Sequence, residues 1–248
     1  MSTAAHFETP AAFRRSPATL AIVDSDDAWA IEPKERSAWA IRALNVSVAV
    51  IALVLLAPVM LLTAIAVRLT SKGPVLYTQP RIGLDRRWRQ DPRASSRRNT
   101  DLGGRVFRIY KFRTMRMDAE QRSGAVWATK QDARVTPIGE FLRKSRLDEL
   151  PQLINVLKGD MNIVGPRPER PSIFLRLSDE IHGYPVRQRA RPGITGWAQI
   201  NQAYDTCVDD VRRKVAYDLE YLQRQSLGED LKIMAMTIPV MVGRKLGW

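Results

Sequence analysis

Residues 46–67 read VSVAVIALVLLAPVMLLTAIAV, 22 consecutive residues without a charge. As a helix rising about 1.5 Å per residue, this stretch is roughly 33 Å long, enough to cross a hydrocarbon core of about 30 Å. Its length and uniformity argue against a buried core helix. Pro58, preceded by Ala57, lies near the middle. It has no N–H for the Val54 carbonyl and its ring crowds the preceding turn, so a kink or break is expected. Basic residues stand on both sides, Lys34, Arg36 and Arg42 before the stretch and Arg68 and Lys72 after it. Positive flanks prefer the cytoplasm. A helix–break–helix that enters and leaves by one leaflet satisfies both features, and a kinked spanning helix fits the residues equally well.

Upstream, MSTAAHFETPAAFRRSPATLAIVDSDDAWAIEPKE has no basic start followed by an apolar run and a cleavage site, so no signal peptide is read. Its mixed polar, Ala- and Pro-containing make-up predicts a poorly ordered tail over residues 1–36. The chain as a whole carries 39 Lys+Arg against 26 Asp+Glu, a formal net charge of +13. It therefore favours anionic partners, whether nucleic acid, anionic lipid or phosphorylated substrates. The single cysteine, Cys207, excludes an internal disulfide and a Cys-rich metal site. His6 and His182 have no partner spacing, and there is no Walker loop or dinucleotide fingerprint.

Downstream, GPVLYTQPRIGL predicts a short strand or turn, and RVFRIYKFRTM alternates apolar and basic residues as a strand does. Between Arg81 and Arg113 stand eleven Lys/Arg and three Asp. The intervening RRWRQDPRASSRR reads as a solvated basic loop that could also rest on anionic head groups. TPIGEFLRKSRL predicts a helix capped by Thr136 with Pro137 as its first residue. PQLINVLKGDMN predicts another, opening at Pro151 and stopping near Gly159. Asp148 and Glu149 fall at the junction, where Leu150, preceding a proline, is biased away from helical geometry. Such a pair could simply cap a helix and balance Arg143, Lys144 and Arg146, or it could carry chemistry. VGPRPERP and RPGITGWAQIN are rigid Pro/Gly loops presenting Arg167, Arg170 and Arg191, suited either to turn punctuation or to gripping phosphate. Residues 208–224 predict an amphipathic helix. The final EDLKIMAMTIPVMVGRKLGW reads equally as a core helix or as an interfacial one.

Taken together, GPVLYTQPRIG, FRIYKFRTM, RVTPIGEFLRKSRLDELPQLINVLKGDMNIVGPRPE, RPGITGWAQIN and KVAYDLEYL, in this order and spacing, resemble the bacterial sugar transferases, the monotopic polyprenyl-phosphate phosphoglycosyl transferases. The resemblance covers roughly residues 37–248. It implies a mainly α fold with a small β-hairpin region (α+β). It also implies a re-entrant membrane helix over 37–70 broken at Pro58, and a catalytic domain over 71–248 resting on the cytoplasmic face of the bacterial inner membrane. The family's break is commonly Ser-Pro; Ala57-Pro58 keeps the proline but lacks the hydroxyl.

The resemblance further implies transfer of a sugar 1-phosphate from a UDP-sugar to undecaprenyl phosphate, releasing UMP, as the first membrane step of exopolysaccharide or related glycan assembly. The family's catalytic pair falls on Asp148 and Glu149. Asp148 would attack the sugar-bearing phosphorus to form a covalent aspartyl-phosphosugar, with Glu149 orienting the nucleophile or the metal. Mg²⁺, held at Asp148 and by substrate phosphates, is the implied cofactor. Substrate-binding roles are expected for Arg167, Lys111 and Arg113, and for Arg191, Trp197 and Gln199 in shaping a nucleotide or lipid pocket. Nearby cations and a helix N-terminus would keep Asp148 ionised. Two rival readings are a membrane-tethered nucleic-acid binder, disfavoured because no reading module is recognised, and a non-catalytic scaffold. A homo-oligomer remains open.

Overall fold

The computed structural model describes residues 17–89, 103–116, 119, 132–202 and 207–243. Trp248, His6 and most of the basic loop over 85–104 lie outside these residues. The chain is mainly helical, with two small two-stranded sheets. Helices α1 (Pro17–Val23) and α2 (Asp27–Ala30) come first, followed by the long α3 (Ala38–Thr70). The segment 17–36, expected to belong to a poorly ordered tail, is thus built into the fold. Val23 and Ala28 are fully buried in the main core. The Gly183 N–H donates to the Val23 carbonyl at 2.7 Å, and that of Lys34 to the Leu222 carbonyl at 2.8 Å. Val23, with Ile22 packed beside it, supplies the docking face of α1, which prompted no helix reading.

Helix α3 opens on Ser37, whose Oγ accepts the Ala40 N–H. It stays helical through Pro58, where a break had been expected. One stripe of it is buried, at Ile41, Asn45, Ala49, Thr63 and Val67, while Val50, Ile51, Val54, Leu55, Leu61 and Leu62 are exposed. Polar groups fix the helix to the rest of the chain. Asn45 Oδ1 accepts the Ile163 N–H, and Arg42 donates to the carbonyls of Val156 and Leu157 at 2.6 Å each.

Strands β1 (Leu76–Ile82) and β2 (Val106–Phe112) pair antiparallel, with Leu76 opposite Phe112 and Ile82 opposite Val106. The alternation of RVFRIYKF buries Phe107 and Ile109 and turns Arg108 outward. Helix α4 (Pro137–Lys144) is capped as read from the sequence, Thr136 Oγ1 accepting the Gly139 N–H at 3.0 Å. Leu142 of α4 closes a small second core with Val67 and Phe112. A 3₁₀ turn, Leu147–Glu149, leads into α5 (Gln152–Lys158), which ends at Gly159 in the left-handed region. Leu150, capping the 3₁₀ turn, has helical backbone angles (φ −54°, ψ −37°), contrary to the bias expected before proline.

A second sheet, not expected from the sequence, pairs β3 (Asn162–Val164) in parallel with β4 (Gly193–Thr195). The two chains approach so closely that a Cβ on Gly165 would lie 2.2 Å from the Arg191 carbonyl oxygen, and one on Gly193 2.1 Å from the Gly165 nitrogen. The glycines of VGPRP and RPGITG are there to permit this contact. Helices α6 (Pro171–Glu180), α7 (Trp197–Asn201), α8 (Val208–Arg224) and α9 (Leu227–Gly243) complete the fold. One face of α9 joins the core, with Ile233 fully buried, while Leu231 and Ile238 remain exposed.

Candidate active site

Asp148 and Glu149 sit in the 3₁₀ turn, 7 % and 8 % exposed respectively. The turn follows Arg146, the only described non-glycine residue with positive φ (59°). Adjacent residues of such a turn point in different directions, and here their carboxylates meet different surroundings. Glu149 is gripped. Lys111 Nζ donates to its Oε1 at 2.7 Å, Arg167 Nη2 donates to the same oxygen, and Arg167 Nη1 reaches Oε2 at 3.4 Å. Burial opposes its ionisation, but Arg167 and Lys111 outweigh burial and hold it well below the usual carboxylate range.

Asp148 accepts no hydrogen bond from any described residue. Burial raises its pKa to about 6, against the opposing charge of Lys111; the Glu149 carboxylate adds to the rise. The nearby cations expected to keep Asp148 ionised do act in that direction, Lys111 foremost, but burial outweighs them. Lys111, in turn, is lowered by its own burial, with Glu149 acting the other way.

The structure therefore brings Asp148, Glu149, Lys111 and Arg167 together. It engages Arg113 elsewhere, donating to the carbonyls of Lys72 and Ser71 at 2.9 and 2.7 Å and closing the C-terminal end of α3. Trp197 donates its indole N–H to Glu220 at 2.8 Å, under the guanidinium of Arg224. Gln199 donates to the Ile194 carbonyl at 2.8 Å. Both lie in the packing of α7, α8 and β4. Arg191 stands in a separate cavity at the base of α3.

Sequence reasoning left unassigned the residues that hold Arg167. Its carbonyl accepts Arg187 Nη2 at 3.0 Å, and Arg187 is fully buried in an ion pair with Asp218 at 2.6 Å. Two residues on, Glu169 accepts Lys214 Nζ at 2.8 Å and has a pKa lowered to about 2: burial opposes the shift, and Lys214, Arg187 and Arg81 prevail. Arg81 also donates to the Pro168 carbonyl at 3.0 Å. Lys214 and Asp218 lie four apart in KVAYDLEYL, so one face of α8 anchors the GPRPE loop. That spacing was the available signal.

Among the described residues no three His, Cys, Asp or Glu side chains converge as a metal cage. Asp148, with uncommitted oxygens, nevertheless suits an ion such as Mg²⁺ that takes one or two carboxylates and completes its shell from substrate phosphates and water. Glu149, both oxygens engaged, does not.

The site is a buried carboxylate that accepts no hydrogen bond from a described residue, beside a second one clamped by a lysine and an arginine, in a chain whose described residues include one helix long and apolar enough to cross a membrane. The comparisons with known proteins give its family. The model of the bacterial sugar transferase family matches residues 36–244, and the chain belongs to that family. It is 43 % identical over 79 % of its length to a UDP-N-acetylgalactosamine-undecaprenyl-phosphate N-acetylgalactosaminephosphotransferase of Aeromonas hydrophila, of which it spans 42 %. It is 39 % identical over 79 % of its length to the UDP-glucose:undecaprenyl-phosphate glucose-1-phosphate transferase of Escherichia coli K12, spanning 39 % of that protein. A Caulobacter vibrioides protein with the same activity name is 39 % identical over 81 % of the chain and is spanned to 69 %.

Proposed function

We propose that the chain is a phosphoglycosyl transferase that moves a sugar 1-phosphate from a UDP-sugar to undecaprenyl phosphate at the cytoplasmic face of the bacterial inner membrane. The observation that carries this is the unequal treatment of neighbouring carboxylates: Glu149 is consumed in organising Lys111 and Arg167, and Asp148 is left free. A nucleophile needs an uncommitted lone pair, and a carboxylate with a pKa near 6 is ionised at neutral pH yet more basic than an exposed aspartate.

In the first half-reaction an Asp148 oxygen attacks the sugar-bearing phosphorus. The bond from that phosphorus to the bridging oxygen breaks, and UMP departs with the electron pair. In the second, an oxygen of the lipid phosphate attacks the same phosphorus, the acyl-phosphate P–O bond breaks, and the Asp148 carboxylate is restored. Arg167 and Lys111 lie where they can neutralise the donor's phosphate oxygens while keeping one contact each to Glu149. Mg²⁺, when bound at Asp148 and the phosphates, would supply charge neutralisation to the departing UMP. The Arg187–Asp218 and Lys214–Glu169 pairs position Arg167 without touching substrate.

Membrane attachment through a re-entrant α3 is supported by its packing, since Ile41, Asn45 and Ala49 near one end and Thr63 and Val67 near the other are buried on the same domain. We place its reaction as the first membrane step of exopolysaccharide or a related glycan, a reading that rests on the family resemblance. The relatives act on UDP-glucose or UDP-N-acetylgalactosamine, so both sugars belong in the test. UMP release with undecaprenyl phosphate and Mg²⁺ is measured beside Asp148→Asn, and the wild-type chain incubated with donor alone is analysed by mass spectrometry of its Asp148 peptide. Turnover lost in the variant, together with a hexose-phosphate adduct on Asp148, is expected. Turnover retained by Asp148→Asn would exclude the assignment.

A further inference from the structure

A second strongly cationic place lies apart from the Asp148 site. A cavity of about 750 Å³ opens at the base of α3, between its first turns, the loop after β1, the end of α5 and the loop before β4. Seven Lys/Arg line it against one carboxylate, Asp85, and neither Asp148 nor Glu149 takes part. Asp85 itself is occupied by Arg87, whose Nε donates to it at 3.0 Å.

Some of the lining cations have protein partners. Arg36 pairs with Asp230 at 2.9 Å, Arg42 is held by the α5 carbonyls, and Arg189 donates to the carbonyls of Trp29 and Ile31. Arg86 and Arg191 have none among the described residues. Arg191 is half-buried. Its burial first, then the charges of Arg86, Arg42 and Arg36, depress its pKa, with only Asp160 acting the other way. A fold that gathers four arginines so that they repel one another, two of them without acceptors, leaves unfavourable charge density that an anion would relieve. Guanidinium forks suit phosphate oxygens in particular.

The cavity's position narrows the source. Arg36 and Arg42 flank the start of α3, where Trp39 is 80 % exposed, and the exposed apolar face begins at Val50. An exposed Trp followed by an apolar face places this end of the helix at head-group depth. We propose that this cavity is a second binding site, specific for a phosphate group and distinct from the Asp148 site. An anionic lipid head group is the source its depth favours, and free phosphate the other. The inference rests on the charge balance of the cavity and holds whether or not the transferase reading does.

The test uses the full chain in a zwitterionic detergent, titrated with short-chain phosphatidic acid and followed by native mass spectrometry. Arg86→Ser/Arg191→Ser is compared with wild type and with Arg176→Ser, which removes an exposed arginine of α6 remote from the cavity. At least a tenfold weaker affinity in the double variant, with Arg176→Ser binding as wild type, is expected. Displacement of the probe by excess inorganic phosphate would assign the site to free phosphate, and displacement only by a second anionic lipid would assign it to head groups. If Arg86→Ser/Arg191→Ser does not melt cooperatively, Arg86→Ser alone, at an exposed position, serves instead, with a several-fold loss expected. Equal binding by wild type and cavity variants, or an equal loss in Arg176→Ser, overturns the proposal.

Discussion

Asp148→Asn should abolish turnover and, at the same time, make the protein more stable, by an amount that depends on pH. The fold holds the Asp148 pKa at about 6, against an ordinary value of 3.8, mainly through burial. A carboxyl raised in this way contributes stability that is full below its unfolded pKa and is lost as pH rises through its folded one. At pH 8 the side chain is ionised in both states, and folding carries that charge into a buried turn. The distance from 3.8 to about 6, at about 1.4 kcal/mol per pH unit, corresponds to roughly 3 kcal/mol. Asparagine, similar in size and never charged, avoids this penalty. For a chain of this size that is a rise in melting temperature of about 6–12 °C at pH 8. The gain should shrink as pH falls below about 6 and vanish only below about pH 3, where the aspartate is protonated in both states. Differential scanning fluorimetry in detergent across pH 3–8 measures it. An Asn variant no more stable than wild type at pH 8, or a gain equal at every pH, would refute the argument that burial dominates this carboxyl.

The same pKa sets the acid limb of activity: log kcat/KM for the donor sugar nucleotide should fall with unit slope below about pH 6, and a limb centred near pH 4 would mean an exposed nucleophile. Glu149→Gln carries the opposite sign. Its depressed carboxylate contributes stability above pH 4.5 that is lost on acidification, so the variant should be destabilised by about 2–4 kcal/mol at pH 7 and much less near pH 3, with turnover reduced at least a hundredfold. Urea melts at the two pH values check the first claim. Arg187→Met leaves Asp218 buried without its cation and frees the Arg167 carbonyl. A loss of about 3–5 kcal/mol is expected, together with a raised KM for donor in whatever fraction folds; an unchanged KM would mean that Arg187 does not position the loop.

What could be read without coordinates was whatever depends on local sequence. Thr136-Pro137 announces its helix because the cap and the proline act within one turn, and Gly159 ends the next because only a residue tolerant of positive φ fits there. The Asp148–Glu149 junction was visible for the same reason. What escaped was long-range. Nothing near Arg113 says that its guanidinium will close α3 across forty residues, nor near Glu149 that it will take both Lys111 and Arg167 and leave Asp148 alone. The parallel β3–β4 pair is three residues long on each side, too short for periodicity to register. The N-terminal helices were missed because their order comes from docking on α8 and on the segment around Gly183, not from composition.

Helix α3 poses the remaining question of how the chain meets the membrane, and its packing makes a decisive prediction. Ile41 and Val67 are both buried, at opposite ends of the helix, on one globular domain. The 26 residues from one to the other rise about 39 Å, more than a hydrocarbon core of about 30 Å. Were α3 to span, the domain touching both ends would have to lie alongside it through the bilayer, taking the polar backbone and charged side chains between those ends across the hydrocarbon at several kcal/mol for each unsatisfied group. A helix lying shallowly, with Val54, Leu55, Leu61 and Leu62 facing lipid and the buried stripe facing the domain, avoids that. Ser37 and Ser71, just outside its two ends, should then face the same compartment. In a Cys207→Ser background, Ser37→Cys and Ser71→Cys should both react with a membrane-impermeant maleimide in inverted inner-membrane vesicles, and neither in intact spheroplasts. Labelling of one position in each preparation would mean that α3 crosses, and the contacts at one of its ends could not then exist in the membrane.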